Sequence, residues 1–185
     1  MPWQKARDKL LLVPNPILLL SGPIGAGKTT VARELIRLWP RPLAYIEGDT
    51  FWSFFAKGGA SGPTPAGFRT IMTAMTAAAV PFAMSGTDVI VDFSIPPAFL
   101  RTARRVAAVR QVPLDYVLLR PSEDVCAARA AARTEGPIAD YSGYRQFYRD
   151  FDGMDAHCVA NDTMTPAEAA ERILQDLEDG WFRLG

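Results

Sequence analysis

The 185-residue chain is long enough to bury a substantial single core, and its 49% hydrophobic and 22% charged composition is that of an ordinary globular domain. Twenty basic residues offset twenty acidic ones, so no global field draws the chain to nucleic acid or an anionic membrane. Two cysteines (Cys126, Cys158) and one histidine (His157) exclude a disulfide framework and a Cys/His metal centre, and point to a reducing, cytoplasmic setting.

The opening Trp3–Leu12 is basic and then apolar, but Asp8, Pro14 and Pro16 interrupt it and no small-residue cleavage site follows, which argues against a signal peptide. No run of eighteen apolar residues occurs, so no membrane span is expected. The first strand is Ile17–Ser21. It runs directly into Gly22-Pro23-Ile24-Gly25-Ala26-Gly27-Lys28-Thr29, a complete GxxxxGK[ST] phosphate-binding loop. Gly22, Gly25 and Gly27 let the backbone curl so that successive N–H groups face a phosphate. The helix that follows, to about Leu38, adds the positive end of its dipole. Gly22, Gly25, Ala26, Gly27, Lys28, Thr29 and Thr30 form the expected nucleotide-binding set. Within it Lys28 serves the β- and γ-phosphates and the Thr29 hydroxyl serves Mg²⁺.

Pro40 and Pro42 stop that helix, and Leu43–Ile46 makes a second strand ending at Glu47-Gly48-Asp49. A connection over 50–64 carries Phe51, Trp52, Phe54 and Phe55 and the glycine-rich stretch 58–62. It either lines an acceptor pocket or packs beneath the loop as a satellite core, the second reading being slightly favoured. Thr64 caps a helix, with Pro65 at its first position, to about Ala79. Asp88–Asp92 is the clearest strand, a helix opens at Pro96-Pro97 and runs to about Arg110, and Leu114–Leu119 returns as the fourth strand. Met72, Met75 and Met84 are expected to fill core space. Ser122 caps the next helix, with Glu123 and Asp124 in its first turn. A loop over 134–142, a short helix near 143–151 and a weak fifth strand, 158–160, follow. The capping box Thr165-Pro166-Ala167-Glu168 opens a last helix to about Asp179. Strands alternating with helices give one α/β domain, 1–185, with about five parallel strands.

Ligands of open α/β sheets gather at the carboxyl ends of the strands. Asp92 ends its strand in the manner of a Walker B acid and is expected to hold Mg²⁺ beside Thr29. Asp49 follows strand two, where a carboxylate can take the proton of an attacking hydroxyl; Glu47 has a weaker claim. Arg129 and Arg133, four apart, are expected to share a helix face at the start of a lid of about 129–145 and to neutralise charge on the transferring phosphoryl group. Arg120, Arg145 and Arg149 are further candidates. The catalytic set is thus Lys28, Asp49, Arg129 and Arg133, and the metal set is Thr29 and Asp92.

These residues resemble the small P-loop kinases of the chloramphenicol phosphotransferase, gluconate kinase and zeta-toxin type. The resemblance rests on Gly22–Thr29, Ile46–Asp49, Val91-Asp92, Leu119–Ser122, Arg129 with Arg133, and Asn161-Asp162-Thr163 with Thr165-Pro166. It implies a three-layer sandwich with a five-stranded parallel sheet in the order 2-3-1-4-5 and a small lid. It also implies ATP·Mg²⁺ as donor, Asp49 at the acceptor hydroxyl, and Asn161 and Thr163 near the adenine. The aromatic cluster after Asp49 departs from the short polar pattern of gluconate kinases. The expected activity is transfer of the γ-phosphoryl group to a hydroxyl of a small molecule, by a monomer or homodimer with no nucleic acid or membrane partner. A nucleoside or nucleotide kinase and an NTP-hydrolysing switch are the alternatives.

Overall fold

The structure is a computed structural model and describes residues 13–57, 64–134 and 136–185. The opening segment 3–12, the glycine-rich stretch 58–62 and Glu135 of the expected lid lie outside the described residues.

Strand β1 (Ile17–Ser21) is buried along its whole length, as a continuous apolar run in a covered parallel sheet must be. It is followed by α1 (Lys28–Leu38), β2 (Leu43–Glu47), α2 (Pro65–Met84), β3 (Asp88–Asp92), α3 (Pro97–Ala108), β4 (Leu114–Leu119) and α4 (Glu123–Ala131). The chain closes with α5 (Arg145–Arg149), β5 (Cys158–Val159) and α6 (Pro166–Glu178). Among the described residues the five strands form one parallel sheet in the order β2-β3-β1-β4-β5, the order the resemblance implies.

Side chains alternate across this sheet, and each face has its own core. Ile17, Leu19, Val89, Val91 and Tyr116 pack against Met72 and Met75 of α2 and Leu100 and Ala103 of α3. Leu18, Leu20, Ile90, Val117 and Leu119 pack against Val31 and Leu35 of α1 and Ala169 and Ile173 of α6. Beyond α6 the chain runs antiparallel to β4, with Asp115 bridged to Arg183. The carboxyl ends of β1, β2 and β3 are thereby brought side by side.

Four expectations change. Helix α2 does not stop near Ala79 but reaches Met84, passing through Pro81. The N–H that proline lacks would have served Ala77, which lies on the exposed side where water can replace it. Met84 is consequently on the surface, 40% exposed, and not in the core. The connection after β2 opens with a 3₁₀ helix, Gly48–Phe54. Helix α4 ends at Ala131, so Arg133 lies beyond it and does not share a helix face with Arg129. The N–H of Ala132 bonds the Ala128 carbonyl and that of Ile138 folds back onto the Ala130 carbonyl, which closes the last turn.

Candidate active site

The phosphate loop is shaped by contacts on its outer side. Gly25 has φ 85°, and a Cβ there would strike the carbonyl of Cys126 at the heart of α4. Only glycine fits a left-handed turn packed against another backbone. Three side chains grip the loop through its carbonyls. The Asn161 amide donates to the Ala26 carbonyl at 3.0 Å, Arg129 Nη1 donates to the same oxygen at 3.4 Å, and the Tyr141 hydroxyl donates to the Ile24 carbonyl at 2.7 Å. Arg129 also bonds the carbonyls of Asn161 and Asp162, at 2.9 and 3.3 Å, and so joins the loop to the segment before α6.

In front of the loop lies a cavity of about 830 Å³. Gly25, Gly27, Lys28, Thr29, Thr30, Asp49, Asp92, Arg129, Arg133 and Asn161 all line it. Gly22 and Ala26 stay behind its wall, buried and engaged through their carbonyls. Thr163 is exposed and outside the lining; Met164 and Pro166 stand in the wall in its place.

Lys28 Nζ donates to the carbonyls of Gly22 and Pro23 at 3.1 and 3.2 Å. Burial pushes its ammonium below the ordinary lysine value, against the pull of the Asp92 and Asp49 carboxylates. Asp92, only 4% exposed, accepts two hydrogen bonds on one oxygen, Oδ2: from the Thr29 hydroxyl at 2.9 Å and from the Tyr45 phenol at 3.0 Å. Burial raises the Asp92 carboxyl, and Lys28 and the two hydrogen bonds oppose that rise. Among the described residues no group of three or more His, Cys, Asp or Glu gathers to hold a metal. One hydroxyl and one carboxylate do meet, at Thr29 and Asp92, and these hard oxygens fit Mg²⁺ in a shell completed by phosphate and water.

Asp49 is exposed into the same cavity from the first turn of the 3₁₀ helix. Gly48 sets its place: a Cβ at that position would lie 2.5 Å from Met75 Sδ and 2.6 Å from Phe93 Cβ. The turn therefore sits down on the core, and Asp49 is carried past the end of β2 toward the phosphate loop. Glu47 lines the cavity beside it.

The remaining candidates lie elsewhere. Arg120 is ion-paired to Asp152 and lies 5.0 Å over the Tyr148 ring, and Arg145 pairs with Glu123 at 3.0 Å. Arg149 is exposed and outside the cavity lining. Phe51 and Trp52 pack against the core; Trp52 meets Phe68 edge-on at 5.6 Å, and Phe68 stacks on Phe99 at 5.1 Å. Phe51 and Trp52 thus extend the core beneath the loop, while Phe54 and Phe55 are left 73% and 38% exposed. Sequence reasoning passed over Tyr45, Arg33 and Met164. Arg33 was within reach, four residues beyond Thr29 on the same helix face. Tyr45 is on the face of β2 that carries Glu47, visible only once β2 is known to adjoin β3. No helix among the described residues is long and apolar enough to cross a membrane.

A phosphate loop at the central strand, an acid at the end of its neighbour and the 2-3-1-4-5 order define the fold of the small P-loop kinases. A family model described as an AAA domain matches residues 17–142, well over half of the chain, and the chain belongs to that family. No curated protein sequence gives a significant match. Among solved structures, the fold is similar to a sugar kinase from Janibacter sp. HTCC2649, with a TM-score of 0.69 and 19% identity over 89% of this chain and 95% of that one. It is similar to the APS kinase of Mycobacterium tuberculosis in complex with AMPPNP and APS, at 0.66 and 18% over 89% and 98%. It is also similar to shikimate kinase from Acinetobacter baumannii in complex with shikimate, at 0.59 and 20% over 92% and 96%.

Proposed function

We propose that this protein is a cytoplasmic phosphotransferase that moves the γ-phosphoryl group of ATP to a hydroxyl of a small molecule. The observation that carries the reading is the placing of Asp49. It is an exposed carboxylate facing the cavity that also holds Lys28 and the Thr29–Asp92 pair. A second acid unattached to Asp92 is what a hydroxyl acceptor requires and what simple nucleotide binding does not.

In this reading Lys28 leaves the Gly22 and Pro23 carbonyls and holds the β- and γ-phosphates. Thr29 and Asp92 hold Mg²⁺, which when bound draws charge from the phosphate oxygens. Asp49 accepts the proton of the acceptor hydroxyl as the new oxygen–phosphorus bond forms and the bond from phosphorus to the β,γ-bridging oxygen breaks, leaving ADP. Arg129, anchored to three carbonyls, and Arg133, at the mouth of the loop after α4, balance charge on the transferring group. The complexes of the APS kinase with AMPPNP and APS and of the shikimate kinase with shikimate support a small acceptor in this fold.

The test is transfer from γ-labelled ATP·Mg²⁺ to a panel of sugar acids, nucleosides, nucleotides, sugar nucleotides and hydroxylated antibiotics, in wild type and Asp49→Asn. Loss of the base is expected to slow transfer about 10²–10⁴-fold with ATP affinity retained. Release of phosphate alone, unchanged by any acceptor and by the substitution, would favour a hydrolytic switch.

A further inference from the structure

Two donors from different elements converge on one oxygen of Asp92. Thr29 comes from the first turn of α1 and Tyr45 from the edge strand β2, two residues before the position in register with Asp92. The other oxygen, Oδ1, receives no hydrogen bond from the described residues, yet Asp92 borders the cavity. The Tyr45 ring belongs to neither hydrophobic core and is 37% exposed at the sheet edge. Its packing does not explain it; its hydroxyl does.

We propose that Tyr45 is a positioning residue for the metal site, acting through Asp92 on Thr29. This rests on the reading of the cavity as a Mg²⁺·ATP site. A hydroxyl has one proton and two lone pairs. While the Thr29 proton is given to Asp92 Oδ2, both its lone pairs are free for a cation. That arrangement holds only if Oδ2 stays where Thr29 can find it. A carboxylate can rotate about its Cβ–Cγ bond, and the Tyr45 hydrogen bond opposes that rotation. It also keeps Oδ1 free for the cation's water shell. Partners of this kind, one step removed from the metal, commonly change its affinity about 10–100-fold.

Tyr45→Phe removes the hydroxyl and keeps the ring. The experiment is calorimetric binding of AMPPNP with and without Mg²⁺ to wild type, Tyr45→Phe, Asp92→Asn and the double variant. Wild type is expected to bind more tightly with Mg²⁺. Tyr45→Phe is expected to lose about tenfold or more of that gain while its metal-free affinity stays at the wild-type value, and to have no further effect once Asp92 is Asn. An undiminished Mg²⁺ gain in Tyr45→Phe overturns the inference and leaves the functional reading standing. So does an equal loss with and without metal, which is the mark of a merely structural role. A wild type that binds no AMPPNP, or binds it no better with Mg²⁺, overturns both.

Discussion

At the scale of single residues, the site depends on a few positions whose chemistry has no substitute. Lys28→Ala removes an ammonium that donates to two phosphate-loop carbonyls, and turnover is expected to vanish in the labelled-ATP assay. Gly25→Ala introduces a methyl group against the Cys126 carbonyl and strains a left-handed backbone. Nucleotide affinity is expected to fall at least tenfold by calorimetry while the far-ultraviolet circular dichroism stays native. Much of this was open to inspection in the sequence, because the phosphate motif fixes residue type and spacing together. Asp49 and Asp92 were legible for a related reason: acids at strand ends in an α/β chain face the ligand side. Tyr45 was not legible, because its partner is 47 residues away and the pairing depends on which strand is at the edge. Thr163 lies outside the cavity lining, and Met164 stands in the wall beside it.

At the scale of elements, the strands were legible and the irregular segments were not. Short apolar runs between helical stretches announce parallel strands, most plainly the β-branched, acid-ended Asp88–Asp92. The 3₁₀ helix Gly48–Phe54 gave no such pattern; it is dictated by the fit of Gly48 on Met75 and Phe93. The end of α4 is set by the Ile138 N–H folding back onto the helix, a contact no local propensity announces. One buried acid ties several elements together. Asp88, 2% exposed at the start of β3, accepts from Asn15 at 2.7 Å, Trp39 at 2.8 Å and Arg41 at 2.8 Å. Asp88→Ala leaves the Trp39 indole N–H without its acceptor and the Asn15 amide with only the Gly86 carbonyl, and is expected to cost about 3 kcal/mol in urea unfolding. Asp88→Asn, which keeps an acceptor oxygen, is expected to cost less than Asp88→Ala. Equal stability of Asp88→Ala and wild type would show the network to be ornamental.

At the scale of the whole molecule, the nucleotide cavity draws on α1, β3, the 3₁₀ helix, the α4 terminus and the segment before α6. A ligand that touches so many separate elements stabilises the native state as a unit. With Mg²⁺·AMPPNP at 100 times its dissociation constant, stabilisation is about 2.7 kcal/mol. For a domain of this size that raises Tm by roughly 5–11 °C. Lys28→Ala is expected to show no such rise, and a shift that survives the substitution would place the nucleotide elsewhere.

The grip of Asn161, Arg129 and Tyr141 on the phosphate loop bears on how fast a nucleotide is captured. The curve of the loop is held by side chains from three separate parts of the chain, so no ordering of the backbone has to precede binding. The Lys28 side chain must swing away from its two carbonyls, a change of rotamer and not a refolding of the loop. In stopped-flow mixing, the observed association rate should climb in proportion to nucleotide concentration without levelling off, as for a receptor already in its binding shape.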